Sequence, residues 1–336
     1  MGFTNFPNGL TSMGVPLFGG IPQLAVGNVF HLVTAKGSTD PYYVLLKDRV
    51  EDGNIFASLT DAHAAMTSNQ GDVLIVYPGS HVQADSLTWS KSNTMIVGAG
   101  SPNQTYQPST LTTGGVRLTC TTAAVGQILN ITGHYVSMYN IGTQNSASDS
   151  GNISDIRIVG RNFYARNCAF RGGTGATQIG TADCGLGVFV DTSVAGAGNG
   201  MVLEQCTIGS SGNTIRTVGA CCMSFGAGSA AGGFEPRFYD CVFSAYTQTS
   251  GCYFINAQYN AGFDRFALFK NCLFLNFANP ATPMAEAIRN NNDTAWIVLQ
   301  NCGGFGFTKW SSTGVNHTYV CMTAVNGSGG ISTISA

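Results

Sequence analysis

Two aspartates, Asp183 and Asp191 in the run TADCGLGVFVD, are the pair with which this chain could best do acid–base chemistry. Two carboxyls roughly 5 to 9 Å apart suffice to hydrolyse a glycosidic bond, one giving a proton and the other acting as base or nucleophile. Behind them stand Asp149, Asp155, Glu235 and Asp264. Against a catalytic role stands scarcity, since 4 glutamates and 13 aspartates are all the chain has, and aspartate is in any case a common turn residue. The turn reading is preferred and no catalytic residue is assigned. Should the chain be an enzyme, Asp183 and Asp191 are the candidates.

Metal and cofactor chemistry find less support. The histidines, His31, His63, His81, His134 and His317, are isolated and lack ligand spacing. The adjacent Cys221 and Cys222 have no second pair at ligand distance. No metal and no cofactor is expected. Net charge is −2, and the 15 basic residues form no block or stripe, so a nucleic-acid partner is not expected. No apolar run approaches the roughly 18 residues of a membrane helix, and MGFTNFPNGLTS does not read as a secretory signal.

The elements that must position any site are announced by a repeat. RNCAF (166–170), EQCTI (204–208), YDCVF (239–243), KNCLF (270–274) and QNCGG (300–304) align with MYNIG (138–142). One column is always an amide or carboxylate: Asn140, Asn167, Gln205, Asp240, Asn271 and Asn301, at intervals of 27, 38, 35, 31 and 30 residues. Two residues before it come Met138, Ala165, Leu203, Phe238, Phe269 and Leu299, mainly large and apolar; Arg166, Glu204, Tyr239, Lys270 and Gln300 stand directly before it. This reads as strand, one-residue corner, strand. Such a corner needs left-handed backbone, where Asn and Asp are enriched, and corners stacked about 4.8 Å apart would let side-chain amides bond in a ladder. The cysteine that follows is then a small buried thiol, which also suits an odd count of 11 cysteines better than a disulfide framework.

Intervals near thirty residues, 44 glycines and only 10% charged residues fit an all-β solenoid, a single-stranded right-handed parallel β-helix. The stretch FASLTDAHAAMTSNQGDVLIVYPGSHV, followed by NTMIVGAG, resembles the opening segment of pectate-lyase-like β-helix proteins, which implies a short helix covering the open end of the coil. The residues agree: Ser58 and Asp61 make a capping-box-like start, Leu59, Ala62, Ala65 and Met66 an apolar stripe, and Val73 to Tyr77 a continuous apolar strand stopped by Pro78 and Gly79. We therefore expect an extended arm over residues 1–40, a rod over 41–325 with a capping helix near 58–67, and a small-residue tail over 326–336.

The arm is rich in Gly and Pro, yet Phe3, Phe6, Leu17, Phe18 and Ile21 are costly to leave in water, so these five are candidate binding residues. Its FTNFPNG, GVP and GNVF phrases resemble the N-terminal arms of tailed-bacteriophage structural proteins. That resemblance implies a virion component made in the host cytoplasm, most simply a capsid decoration or cement protein. The major capsid protein or another virion protein would be its partner, and similar proteins are homotrimers. The alternative is a tailspike-like protein that binds or depolymerises a host surface polysaccharide. Pectate lyases and polygalacturonases are disfavoured because the sequence lacks DD, GHG and RIK. A secreted adhesin would need an export signal.

Overall fold

A computed structural model describes residues 27–102, 115–120, 122, 126–145, 154–172, 185–214, 219–226, 233–257, 263–278, 283–290 and 295–311, with strand assignments also at 11–12, 15–16 and 319–321. One coil explains the winding. Val202–Glu204 forms a strand, Gln205 turns with φ at 54°, and Thr207–Thr214 leaves in a new direction. Cys221–Gly226 makes the third side, and Arg237–Tyr239 then lies parallel to Val202–Glu204 as the next coil begins.

Repetition stacks these sides into three parallel sheets of 11, 9 and 7 strands among the described residues. They are called here the first, second and third sheets, in the order in which a coil visits them. The chain is a parallel β-helix, right-handed as parallel crossovers are. Side chains alternate in and out of each short strand, so every coil sends apolar residues to the axis. One continuous core runs from Phe30 to Trp310. Equivalent phenylalanines lie on one another: Phe238 on Phe269 at 4.6 Å between ring centres, and Phe243 on Phe274 at 4.7 Å.

The helix α1, Pro41–Leu46, is capped by Asp40, whose carboxylate accepts from the Tyr42 and Tyr43 amides. The helix α2, Leu59–Ala65, starts at Ser58, whose side chain accepts from the Asp61 amide. Leu59, Ala62 and Met66 of this segment join the core and close its end, while Ala65 faces solvent and His63 takes the buried place instead. Terminal units of a solenoid need such a cover, because their apolar face has no further coil to meet.

The rod begins earlier than residue 41. Val29–Leu32 pairs with Val73–Val76 in the first sheet, with Phe30 and Leu32 in the core. The low charge and the glycines around VFHLV make this strand look like part of the arm. Val73, Ile75, Met95, Val97 and Tyr139 point away from the axis and still form a buried cluster of their own. That is why Val73–Val76 is apolar at every position rather than at alternate ones.

Candidate functional site

The corner column comes first, because it sets where every other side chain points. Asn140, Asn167, Gln205, Asp240, Asn271 and Asn301 all have φ between 51° and 56°. Asn167 donates to Asn140 at 2.8 Å, Asn271 to Asp240 at 2.9 Å, and Asn301 to Asn271 at 2.9 Å. Gln205, with one methylene more, accepts from Arg166 Nε at 3.3 Å. Beside this ladder the buried thiols of Cys168, Cys206, Cys241, Cys272 and Cys302 donate to carbonyls of the preceding coil, at 3.3 to 3.6 Å. The nine described cysteines are buried and stand outside any disulfide, and no group of three or more His, Cys, Asp or Glu among the described residues could hold a metal. The column is architecture.

Of the carboxylates proposed from sequence, Asp191, Asp155, Glu235 and Asp264 lie among the described residues. Asp183 and Asp149 lie outside the described residues. Asp191 ends the strand Gly185–Asp191 and is committed to Arg157, which donates from Nε at 2.9 Å and from a terminal nitrogen as well; the Ser193 amide adds a third bond. Burial by itself would push the Asp191 carboxyl up, but the Ser193 and Arg157 hydrogen bonds and the Arg157 charge outweigh it and hold it below its ordinary value. Asp155 is buried, accepting from the Asn145 and Gly172 amides and the Thr143 hydroxyl at 2.7 to 2.9 Å. Burial raises its pKa to about 6 against the opposing pull of those bonds. Glu235 sits between Arg237 and Arg265, and Asp264 lies in an isolated bridge to Phe234. Trp310 belongs to the core, and Tyr253 packs under Arg289.

The arrangement with chemistry to offer is on the outer face of the second sheet. Gly115–Cys120 and Gly142–Asn145 are adjacent there, with Leu118 turned inward, so Arg117 and Thr119 point outward. Gln144 and Arg171 follow on the next two coils, since Phe170 beside Arg171 is again inward. Arg117 donates to Gln144 Oε1 and to Ser80 Oγ, both at 3.1 Å. Its Nε is buried without a hydrogen-bond partner, and among the described residues no carboxylate pairs with it. Burial lowers the pKa of Arg117; burial and then the Arg117 charge lower that of Arg171, with only Asp155 acting the other way. Arg117 is thus half-desolvated with its Nε unanswered, which is costly unless an anion completes it. A carboxylate or sulfate is the complement, because it can take two parallel N–H donors from one guanidinium.

Sequence reasoning missed this group, although the signal was within reach. Gln144 and Arg171 stand four residues after the corners Asn140 and Asn167, as Gly209, Ser244, Leu275 and Phe305 stand four after theirs. Any residue four beyond a corner lies in one outward row.

No family model matches the chain, and no curated protein matches it. Among solved structures, deglycosylated pectin methylesterase from Aspergillus niger is similar over 88% of this chain and 84% of its own, with a TM-score of 0.52 and 14% identity. The pectin methylesterase PemA from Erwinia chrysanthemi covers 89% of this chain and 94% of its own at 14% identity, with a TM-score of 0.46. The tailspike protein gp49 from Acinetobacter baumannii bacteriophage Fri1 covers 75% and 57% at 12% identity, with a TM-score of 0.29. At such identities the likeness to the Aspergillus protein is one of fold, a parallel β-helix, and the two with lower scores add no argument.

Proposed function

We propose that the protein binds an anionic polysaccharide on the outer face of its second sheet, with Arg117 receiving a carboxylate or sulfate group. The observation that carries this reading is Arg117: half-buried, with a desolvated Nε left unbonded and, among the described residues, no carboxylate paired with it. A nucleic acid would need a wide basic surface, and a net charge of −2 with two arginines on this face does not provide one. A pectin methylesterase of the same fold has been solved in complex with a hexasaccharide. That is analogy of fold, and the reading rests on Arg117.

Binding rather than cleavage is proposed, because Asp191, Asp155 and Glu235 are each already engaged by arginine or backbone donors. Attachment to a virion, as a trimeric capsid decoration protein or as a tailspike-like protein, is a separate proposal. It concerns Phe3, Phe6, Leu17, Phe18 and Ile21, which lie outside the described residues, and it is tested by deleting residues 1–26 and measuring assembly onto the particle. The two roles are compatible on one chain.

The test is affinity electrophoresis and calorimetry with polygalacturonate, dextran sulfate and neutral dextran. Retardation by one or both acidic polymers and none by dextran is expected, and the two acidic arms separate carboxylate from sulfate recognition. Arg117→Gln should weaken binding at least about tenfold, equivalent to about 1.4 kcal/mol, with unchanged thermal unfolding. Equal retention by neutral dextran, or equal binding of duplex DNA, would overturn the proposal.

A further inference from the structure

The outer face of the first sheet changes character along the rod. At its N-terminal end Val73, Ile75, Met95, Val97 and Tyr139 point outward and are buried. From Tyr164–Arg166 through Val202–Glu204, Arg237–Tyr239 and Phe266–Lys270 to Trp296–Gln300 the face is open. Ala165, Leu203, Phe238, Phe269 and Leu299 point into the core, so the residues beside them point out in two rows, each of them half-buried or exposed. One row reads Tyr164, Val202, Arg237, Leu268 and Val298; the other reads Arg166, Glu204, Tyr239, Lys270 and Gln300. At the margin Trp296, 46% exposed, stands next to Phe266.

Parallel sheets are ordinarily covered on both faces, and a row meeting only water has no need of Val202, Leu268 and Val298. Tyrosine, arginine and tryptophan grouped with aliphatic side chains are the composition of a protein contact. Glu204 in the middle of the face disfavours an acidic polymer as its occupant. A second copy of this chain answers both signs of charge. Turned about a two-fold axis along Arg237–Tyr239, it lays each row over itself in reverse order. Leu268 of one copy then meets Val202 of the other, Val298 meets Tyr164, and Lys270 meets Glu204, each contact being made twice by symmetry. Arg237 meets its own equivalent, but it lies over the Phe266 ring at 5.9 Å and has Glu235 at 3.5 Å as its counter-charge.

We infer that two rods pack antiparallel through the outer faces of their first sheets, with Lys270 of each opposite Glu204 of the other. The inference is independent of the polysaccharide reading, which concerns the second sheet. The open face spans four steps of about 4.8 Å, roughly 19 Å, which places the contact at the small and weak end of protein interfaces. Pairing should therefore fall off on dilution.

Sedimentation velocity over a dilution series tests it. The concentrated wild type should contain an even number of chains, two, or six where trimers also form, and should dissociate on dilution. Lys270→Glu sets carboxylates opposite one another and should weaken pairing at least about tenfold while unfolding at the wild-type temperature. Leu268→Glu reaches the same loss through the other row. Reversing both members of the charge pair, Lys270→Glu with Glu204→Lys, should restore pairing. A single chain or a trimer at every concentration overturns the inference. Pairing that survives both Lys270→Glu and Leu268→Glu, or a folded double reversal that fails to restore it, does the same. A monomeric wild type whose retention by polygalacturonate is lost in Lys270→Glu assigns the face to a glycan and also overturns it.

Discussion

At the scale of single residues, the molecule depends on side chains that tolerate an unusual backbone. Asn271 holds φ at 55°, donates to Asp240 and accepts from Asn301. Replacing it with alanine should cost about 2 kcal/mol, from left-handed strain and the two lost bonds, and glycine should recover the strain component. The urea midpoints of the two variants should therefore differ, glycine being the more stable. Asp191 makes a second test. Asp191→Asn should destabilise the fold by about 1–2 kcal/mol at neutral pH, discounted because Arg157 is partly exposed. The folded carboxyl lies below its ordinary value, so its contribution is present above the unfolded pKa of about 3.9 and is lost as pH falls through the lower folded value. The stability gap between variant and wild type should close in strong acid.

At the scale of elements, α2 should respond to pH through His63. His63 is buried, accepts from the Ser90 amide at 3.2 Å and packs on Trp89 at 4.8 Å. Burial, with Lys91 adding to it, lowers its pKa to about 4. A histidine depressed in the folded state contributes stability that is complete above the unfolded value of about 6.5 and is lost as pH falls toward 4. The end cap should therefore loosen by roughly 3 kcal/mol across that window. Amide exchange over residues 59–66 should accelerate between those pH values, and His63→Gln should flatten the response. The helix itself was legible from Ser58, Asp61 and the apolar stripe. Its exposed Ala65 and buried His63 were not, because which turn of a short helix meets the core depends on where the first coil lies beneath it.

At the scale of the whole molecule, the rod is a stack in which each coil touches its neighbours, so a defect in the middle divides it. Phe269 lies flat against Phe238 and is fully buried, while Lys270 beside it is exposed. Phe269→Asp should cost several kcal/mol and prevent a stable rod, and Lys270→Asp should be nearly silent in the same denaturation assay. The corner spacing alone made this inside-and-outside assignment possible. A one-residue corner permits a single phase, and alternation along the flanking strands follows from it. The second-sheet site was less legible, because Arg117, Gln144 and Arg171 are unremarkable until three coils are laid over one another. By itself the sequence determined the class of fold, the corner column and the facing of the residues that flank each corner, since those follow from local backbone preference and period. Only the tertiary structure decided that Arg117 stands between Ser80 and Gln144 with a buried, unanswered Nε, and that Asp191 is already taken by Arg157. Coil lengths vary from 27 to 38 residues between corners, and which charges meet across coils is settled by stacking rather than by any local rule.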